Sequence, residues 1–506
     1  MKPPTGGFFV PGRRPWARQE QEPKMDIYLH GVETIEKSDS PRPVQTIDTG
    51  IIGLIGTADL ADDELWPLNT PIPIYGYDGF PGGLGSSGTL PDAIKGIFDQ
   101  ATRASQTVVV VRIDEDADPQ VQLANILGNH STLTGIHAFR RAQPELNLKP
   151  KLLCAPGFTS NRPTDGVASI AVTDGGSGYT EAPAVSIGGD GTGATAICTI
   201  NEDGEVDEIV VTNPGDGYTT APVTFDGDGA DAAGTATLGQ VANPVAIELL
   251  SLARRLRACV VVEGPNTNST AAVQYRLDFD SDRLLIVDPY VKAAIDGEVV
   301  SVPVSPYVCG LQAVVDYEEG FWYSPSNHVI QGILGAARSI EHSLNDPSAE
   351  SQYLNKNSVA TVVRSPQGGY KLWGSRVASS DTLKKFWSVR RSHDTIIESI
   401  ELAHEVYVDK PFSKQILVEI AETVNRALRR WSVLGATLGG RVWLDPGYNT
   451  AETMASGILY VHYDAEAPAP IEHLVFVFNR NTGYYTAMAE SAAREIERIA
   501  ALARVA

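Results

Sequence analysis

Five stretches of this chain are apolar almost without interruption. They are GIIGLIGTA near Ile51, TVVVVRID from Thr107, KLLCAPG around Cys154, CVVVEGP from Cys259 and RLLIVDP from Arg283. A strand with one wet face alternates apolar and polar residues. An unbroken apolar run instead suits a strand covered on both faces, as in a parallel sheet. Segments with helical spacing separate these runs: LPDAIKGIFDQATR with Pro91 in its first turn, VQLANILG from Val121, TLTGIHAFRRA from Thr132, VAIELLSLARRLRA from Val245 and STAAVQYRLDF. Strand and helix in alternation predict an α/β fold (α+β overall): a mixed, mainly parallel sheet covered by helices. The stretch TPIPIYGYDGFPGG is not expected to be a strand, because Pro71 and Pro73 remove backbone donors.

Residues 167–243 break this rhythm. Composition shifts to Gly, Ala, Thr and Asp, and Ile170/Val172 and Ile209/Val211 alternate with small or polar residues, as in short half-buried strands. A unit recurs: Gly178-Tyr179-Thr180 and Gly217-Tyr218-Thr219 are each followed by one residue and Ala-Pro. The segment reads as a small all-β insertion in a strand-to-helix loop, since KLLCAPG and the helix from Val245 become consecutive without it. Tyr179 and Tyr218 are expected as aromatic plugs of its core, with a sugar-stacking platform as the alternative. Asp190, Asp226, Asp228 and Asp231 sit beside glycines. Turn chemistry accounts for such pairs, and the ordered ligand spacing of a calcium loop is absent.

Length and charge narrow the class. The 506 residues give room for about three domains. A net charge of −22 opposes general binding to a phosphate backbone, so no nucleic-acid partner is expected. Cys154, Cys198, Cys259 and Cys309 form no CxxC pair, which signals neither zinc nor a redox pair, and buried reduced thiols suit a reducing cytoplasm. No apolar run reaches the roughly 18 residues of a membrane span, and no h-region follows the early Arg pair as a signal peptide requires.

The motifs that could carry chemistry are thin. Gly83, Gly85 and Gly88 match GxGxxG ahead of a helix, with Asp114 after the next strand, but the preceding segment lacks the required strand. There is no HExxH, no GxSxG elbow and no GxxxxGK[ST] loop; His393 and His404 are too far apart to share a helical turn. Glu263 and Asp288 stand at the carboxyl ends of predicted strands, where open α/β sheets bind ligands, but without a nucleophile or histidine they define no reaction. Neither a cofactor nor a metal is expected.

The two ends of the chain read differently. DIYLHGVETIEK, behind a linker stiffened by Pro41 and Pro43, is an extended run with no partner nearby in sequence. Toward the other end, SHDTIIESIELAHEVYVDKPFSKQILVEIAETVNRALRRWSVLG predicts two long helices broken at Lys410-Pro411. GILYVHYDAEAPAPIEHLVFVFNRNTGYY predicts two strands joined by a Pro-rich turn, and an Ala-rich helix follows.

Several longer stretches, in order, carry a family resemblance: YLHGVE, GFPGGLGSSGTLPDAI, VVEGPNT, EEGFWYSPSNHVIQGILGAAR, YKLWGSR, FWSVRRSHDTIIESI and LGGRVWLDPGYNT. From about Met25 to about Phe478, the insertion apart, the chain resembles the contractile-tail sheath proteins of bacteriophages and related particles. The resemblance implies a non-enzymatic virion protein, assembled in the host cytoplasm as stacked hexameric rings around a tail tube. It implies contraction by rigid-body movement of subunits that stay linked through terminal arms. Partners would be other sheath subunits, the tube, baseplate and tail terminator proteins. Arm residues would be Asp26, Ile27, Tyr28, Leu29, His30 and Val32 at one end and Leu474, Val475, Phe476, Val477 and Phe478 at the other. The implied organisation is an extension over 1–24, an arm and linker over 25–45, a core over 46–166 and 244–300, the insertion over 167–243, a C-terminal α/β domain over 301–470 and an arm with a helix over 471–506. An α/β enzyme with its site at the strand ends, or a glycan-binding insertion, are the alternative readings.

Overall fold

The apolar runs become strands of one twisted sheet. The computed structural model describes residues 43–100 and 106–503. The first segment contains β1 (Ile52–Thr57), β2 (Pro71–Tyr75), α1 (Leu90–Phe98), β3 (Thr107–Ile113), α2 (Pro119–Leu127), α3 (Ala142–Leu146) and β4 (Leu152–Cys154). The insertion contributes β5 (Gly166–Ser177), β6 (Ala184–Ile187), β7 (Thr192–Ile200), β8 (Val206–Asp216), β9 (Val223–Asp226) and β10 (Ala230–Gly239). The chain returns through α4 (Pro244–Leu256), β11 (Cys259–Glu263), α5 (Ser269–Leu277), β12 (Leu284–Val287), β13 (Val291–Ile295), β14 (Glu298–Val302) and α6 (Ser305–Glu318). Then come β15 (Val329–Ile330), β16 (Ile333–Ala336), α7 (Glu350–Lys356), β17 (Val359–Arg364) and β18 (Tyr370–Trp373). The last elements are α8 (Trp387–His404), α9 (Lys414–Leu434), β19 (Gly439–Trp443), α10 (Ala451–Ala455), β20 (His462–Glu466) and α11 (Gly483–Ala503).

The main sheet has the order β15-β18-β17-β12-β11-β4-β1-β3-β2. Its six central strands, from β17 to β3, are parallel, with antiparallel strands at both edges. Alternate residues of the apolar runs serve opposite faces. Leu54, Val108, Val110, Val261 and Val287 pack under α1 and α6, whereas Ile55, Val109, Val111, Val260 and Ile286 pack under α4 and α5. This two-sided burial is why the runs do not alternate in polarity. Strands β17 and β18, from beyond residue 301, complete the same sheet.

Two expectations need correction. Pro71–Tyr75 does form a strand, β2, paired antiparallel with β3. It lies at the sheet edge, where a missing proline N–H faces no neighbour and costs no ladder bond. The segment from Thr132 is mostly 3-10 helix, over Gly135–Arg141, before the short α3.

The insertion is built from two halves that exchange strands. β5 of the first half pairs with β10 of the second, β8 of the second pairs with β7 of the first, and the short β6 and β9 pair with each other. Its entry and exit lie side by side: Gly166 and Gly239 are register partners, and Val241 N–H donates to Pro163. Asn243 fastens this neck to the core. It caps α4 through Ala246 N–H and donates to the carbonyls of Phe158 and Asn161.

A further module follows the sheet. α8, α9 and the antiparallel ribbon β19–β20 enclose Ile396, Ile400, Val424, Leu428 and Trp431, together with Val44 from the start of the described chain. The apolar face of α9 buries Ile420, Val424, Leu428 and Trp431 but leaves Val418 exposed.

Candidate assembly interface

The C-terminal segment leaves this module without being covered by any described part of the chain. Ala467 is still buried, against Phe386 and Val389, and Glu472 is held by both nitrogens of the Arg376 fork at 2.6 and 2.7 Å. Every residue from 471 to 501 is exposed. Leu474, Val475, Phe476, Val477 and Phe478 present 64% to 90% of their surface to solvent. Five adjacent large apolar side chains in water form a surface of the kind that marks an interaction site. Among the described residues the expected second strand is unpaired: β20 pairs with β19, and residues 474–478 carry no ladder. Isolated from a sheet, such a segment lacks the cross-strand contacts and backbone bonds that stabilise a strand. Helix α11 continues the pattern with Tyr485, Met488, Ile496 and Ile499 all exposed. The expected arm residues Asp26, Ile27, Tyr28, Leu29, His30 and Val32 lie outside the described residues.

The root of the N-terminal linker is well anchored. Val44 is buried, Thr46 accepts from Trp431 Nε1 at 3.2 Å, and Ile47 N–H donates to Ser399. The ribbon β19–β20 has only two strands, so each strand has one edge free of backbone pairing among the described residues.

A ladder of ion pairs ties this module to the amino end of the main sheet. Arg391, Asp394, Glu398 and Glu401 recur at helical spacing on α8. Arg391 grips Asp316 at 2.7 and 2.5 Å, and Asp394 meets Arg283 at 2.5 Å. Glu398 bridges Lys149 at 2.9 Å and Lys151 at 2.5 Å, and Glu401 meets Arg257 at 2.7 Å. Burial pushes the Lys151 ammonium down to about 8, against the opposing pull of Glu398. The charge spacing in SVRRSHDTIIESIELAH is visible in sequence, but its partners come from three separate loops and from α6, and only the fold brings them together.

The other candidate residues have structural partners. The loop of Gly83, Gly85 and Gly88 packs on the end of β1, and a Cβ on Gly88 would lie 2.3 Å from the Thr57 carbonyl oxygen. Glu263 is completely buried and accepts from Thr159 Oγ1, Ser305 Oγ and Ser305 N–H. Burial raises its pKa, although the Ser305 and Thr159 hydrogen bonds pull the other way. Asp288 is equally buried, with Arg338 at 2.6 Å and Asn266 N–H at 2.9 Å. His393 and His404 both lie on α8. All four cysteines are free and buried.

In the insertion, Tyr179 and Tyr218 are 5% and 4% exposed, so they serve as core plugs and cannot be a sugar platform. Each ring lies against a glycine of a Gly-Asp-Gly turn. A Cβ on Gly229 would come within 2.6 Å of Tyr179, and one on Gly191 within 2.4 Å of Tyr218. The aspartates of those turns clamp the threonines. Asp228 accepts from Thr180 Oγ1 and N–H; Asp190 accepts from Thr219 Oγ1 at 2.5 Å and N–H at 2.9 Å and from Thr220 N–H at 3.1 Å. These bonds hold both carboxyls below their ordinary range.

Among the described residues, a broad α/β core ends in an apolar terminal segment without cover. Comparisons with known proteins agree. The family model described as phage tail sheath protein central domain matches residues 223–378. The tail sheath protein of Burkholderia phage BcepMu is 30% identical, over 89% of this chain and 96% of its own length. That of Escherichia phage P2 is 24% identical, over 89% and 95%. Among solved structures, the sheath complex of the extracellular contractile injection system PVC in its contracted state has a TM-score of 0.56 at 13% identity, covering 91% of this chain and all of that one. The anti-feeding prophage helical sheath in its contracted state gives 0.55 at 16%, covering 90% of this chain and all of that one. The chain belongs to the phage tail sheath protein family: it is a tail sheath subunit of contractile injection systems.

Proposed function

We propose that this subunit polymerises as stacked hexameric rings around a tail tube and contracts by rigid-body rearrangement, driving the tube through the host envelope. The observation that carries this reading is the continuous exposure of residues 471–501, with its apolar run at Leu474–Phe478. On a neighbour's open strand edge, that run would gain main-chain hydrogen bonds and side-chain burial together. The ribbon β19–β20 offers such edges. Residues 26–32 would form a second arm at the other end. Head-to-tail contacts of this kind do not close and so build a helical array.

Contraction needs two arrangements of the same subunits that differ in contact free energy, without nucleotide hydrolysis. The buried ion pairs between α8 and the sheet suit a body that moves as one piece. Partners are other copies, the tube, the baseplate and a tail terminator, and the site of action is the virion tail after assembly in the host cytoplasm. The subunit is structural and not catalytic: Glu263 and Asp288 are occupied by internal hydrogen bonds. The insertion, leaving the core by a narrow neck, would decorate the outer surface.

Electron microscopy of the purified chain, with and without tube protein, tests the reading. Tubes are expected from the full chain, and folded particles without tubes from a chain ending before Ile471 or lacking residues 26–40. A full chain that stays monomeric under all conditions overturns the reading, and normal tubes from either truncation overturn the arm assignment.

A further inference from the structure

The chain has a net charge of −22, yet one cleft is basic. An open cleft of about 340 Å³ is lined by Arg276, Lys356, Arg376 and Lys385, with Asp381 as the one carboxylate in its lining. Arg276 ends α5, Lys356 ends α7 just before β17, and the other two follow β18. All lie at the amino end of the parallel strands. The cleft already takes a carboxylate at its mouth, because Arg376 grips Glu472. Among the described residues, Arg276, Lys356 and Lys385 form no close ion pair; Asp280, which accepts from Ser380, acts on Arg276 at longer range, and Lys385 rests over the ring of Phe386. Leu277 and Leu383 beside the cleft are 60% and 84% exposed.

The opposite pole has the opposite charge. Thr57 and Ile113 are register partners, so the loops after β1 and β3 leave the carboxyl end of the sheet together. One carries Asp59, Asp62, Asp63 and Glu64. The other carries Asp114, Glu115, Asp116 and Asp118, all exposed. Leu60, 64% exposed, stands among them. Between β17 and β3 lie four strands, a span of about 24 Å at about 4.8 Å per strand. The two patches therefore sit at opposite ends and opposite sides of one rigid sheet, and one copy cannot bring them together.

We propose that the basic cleft of Arg276, Lys356 and Lys385 receives the acidic rim Asp114–Asp118 of a neighbouring copy. The charges are complementary, and each patch carries exposed leucine to bury. A head-to-tail displacement places one pole against the other, which is a contact that propagates instead of closing. Desolvated opposite charges set register and speed encounter, and the contact weakens as salt rises. This inference rests on the sheath reading above and names one contact within that assembly.

The test uses full-length chains. The K356E/K385E variant and the D114K/E115K variant should each need about tenfold more protein than wild type to form tubes at low salt, with unchanged thermal melting. The chain carrying all four changes should recover most of that loss. Separately, a Lys385→Cys chain mixed with a Glu115→Cys chain and treated with a mild thiol oxidant should give an intermolecular disulfide that neither gives alone, the native cysteines being buried. Tubes from K356E/K385E at the wild-type concentration, no recovery in the four-fold variant, or tubes that form without the crosslink would overturn the contact while leaving the sheath reading intact. If wild type gives no tubes and the mixed cysteine chains give no crosslink, the polymerisation reading fails and this contact with it.

Discussion

The core sheet and the β insertion handle the same problem, carboxylates in a folded structure, in opposite ways. Glu263 apart, the core pairs its buried carboxylates with cations: Asp316 with Arg391, Asp394 with Arg283 and Arg390, Glu398 with two lysines. The insertion has no such option. Between residues 166 and 239 there are twelve Asp and Glu and no Lys, Arg or His. It neutralises nothing. It gives Asp190 and Asp228 to hydroxyls and backbone amides and leaves most of the rest in water. The difference shows two independent solutions in one chain. The core depends on buried charge pairs whose members cannot be removed singly, whereas the insertion depends on a small apolar centre and carries more than half of the chain's net charge as an exposed coat.

The largest expected effect breaks the core's arrangement. Arg391→Met leaves Asp316 buried without its fork and should cost about 3–5 kcal/mol in chemical denaturation. Adding Asp316→Leu should recover part of that loss, because the orphan charge goes with it. Tyr218→Ala should destabilise the insertion by a similar amount, about 3–5 kcal/mol, by emptying half of its centre. Hydrogen exchange should then rise across β5–β10 while the main sheet keeps its protection. Spread of that loss into β1–β4 would show that the two regions are not independent.

Glu263 sharpens the contrast with a smaller change. Because burial raises its pKa, the folded state holds the proton more tightly than the unfolded state. Its stabilising contribution is full below the ordinary value of 4.5 and is lost as pH rises through the folded value. Glu263→Gln, which mimics the protonated acid, should cost less than about 1 kcal/mol and flatten that pH dependence. Glu263→Leu should cost about 1–3 kcal/mol for each donor left without an acceptor. The insertion should respond with the opposite sign. Asp190 and Asp228 have lowered pKa values, so their contribution is present above the ordinary 3.8 and is lost as pH falls through their folded values. Amide exchange at Thr180, Thr219 and Thr220 should quicken on acidification, and Asp190→Asn should blunt the change at the last two. The smallest effect is salt: screening should stabilise the like-charged insertion while loosening exposed ion pairs such as Arg441–Asp464.

Much of this was legible in the residues. Two-sided burial demands apolar residues at every position, so β1, β3, β4, β11 and β12 could be read directly, as could α1, α4, α8 and α9 from their spacing. The insertion stood out by composition, and Tyr179 and Tyr218 were correctly expected inside it. Strand β2 was hidden because proline forbids a central strand but not an edge, and edge position is a property of the whole sheet. The exchange of strands between the insertion's halves was hidden for a related reason: two similar half-units predict two similar sets of strands, whichever half each strand pairs with.

The amino-acid sequence alone determined the strand and helix segments, the site of the insertion, the acidity of the chain and its family resemblance, because these rest on local pattern and composition. Tertiary structure decided which charges are paired, which apolar residues stay uncovered and which end of the sheet each patch occupies. Lys149, Lys151, Arg257 and Arg283 meet one face of α8 only because parallel strands bring their amino ends into one row. Leu474–Phe478 has the composition of a buried strand, and only the fold shows it uncovered among the described residues.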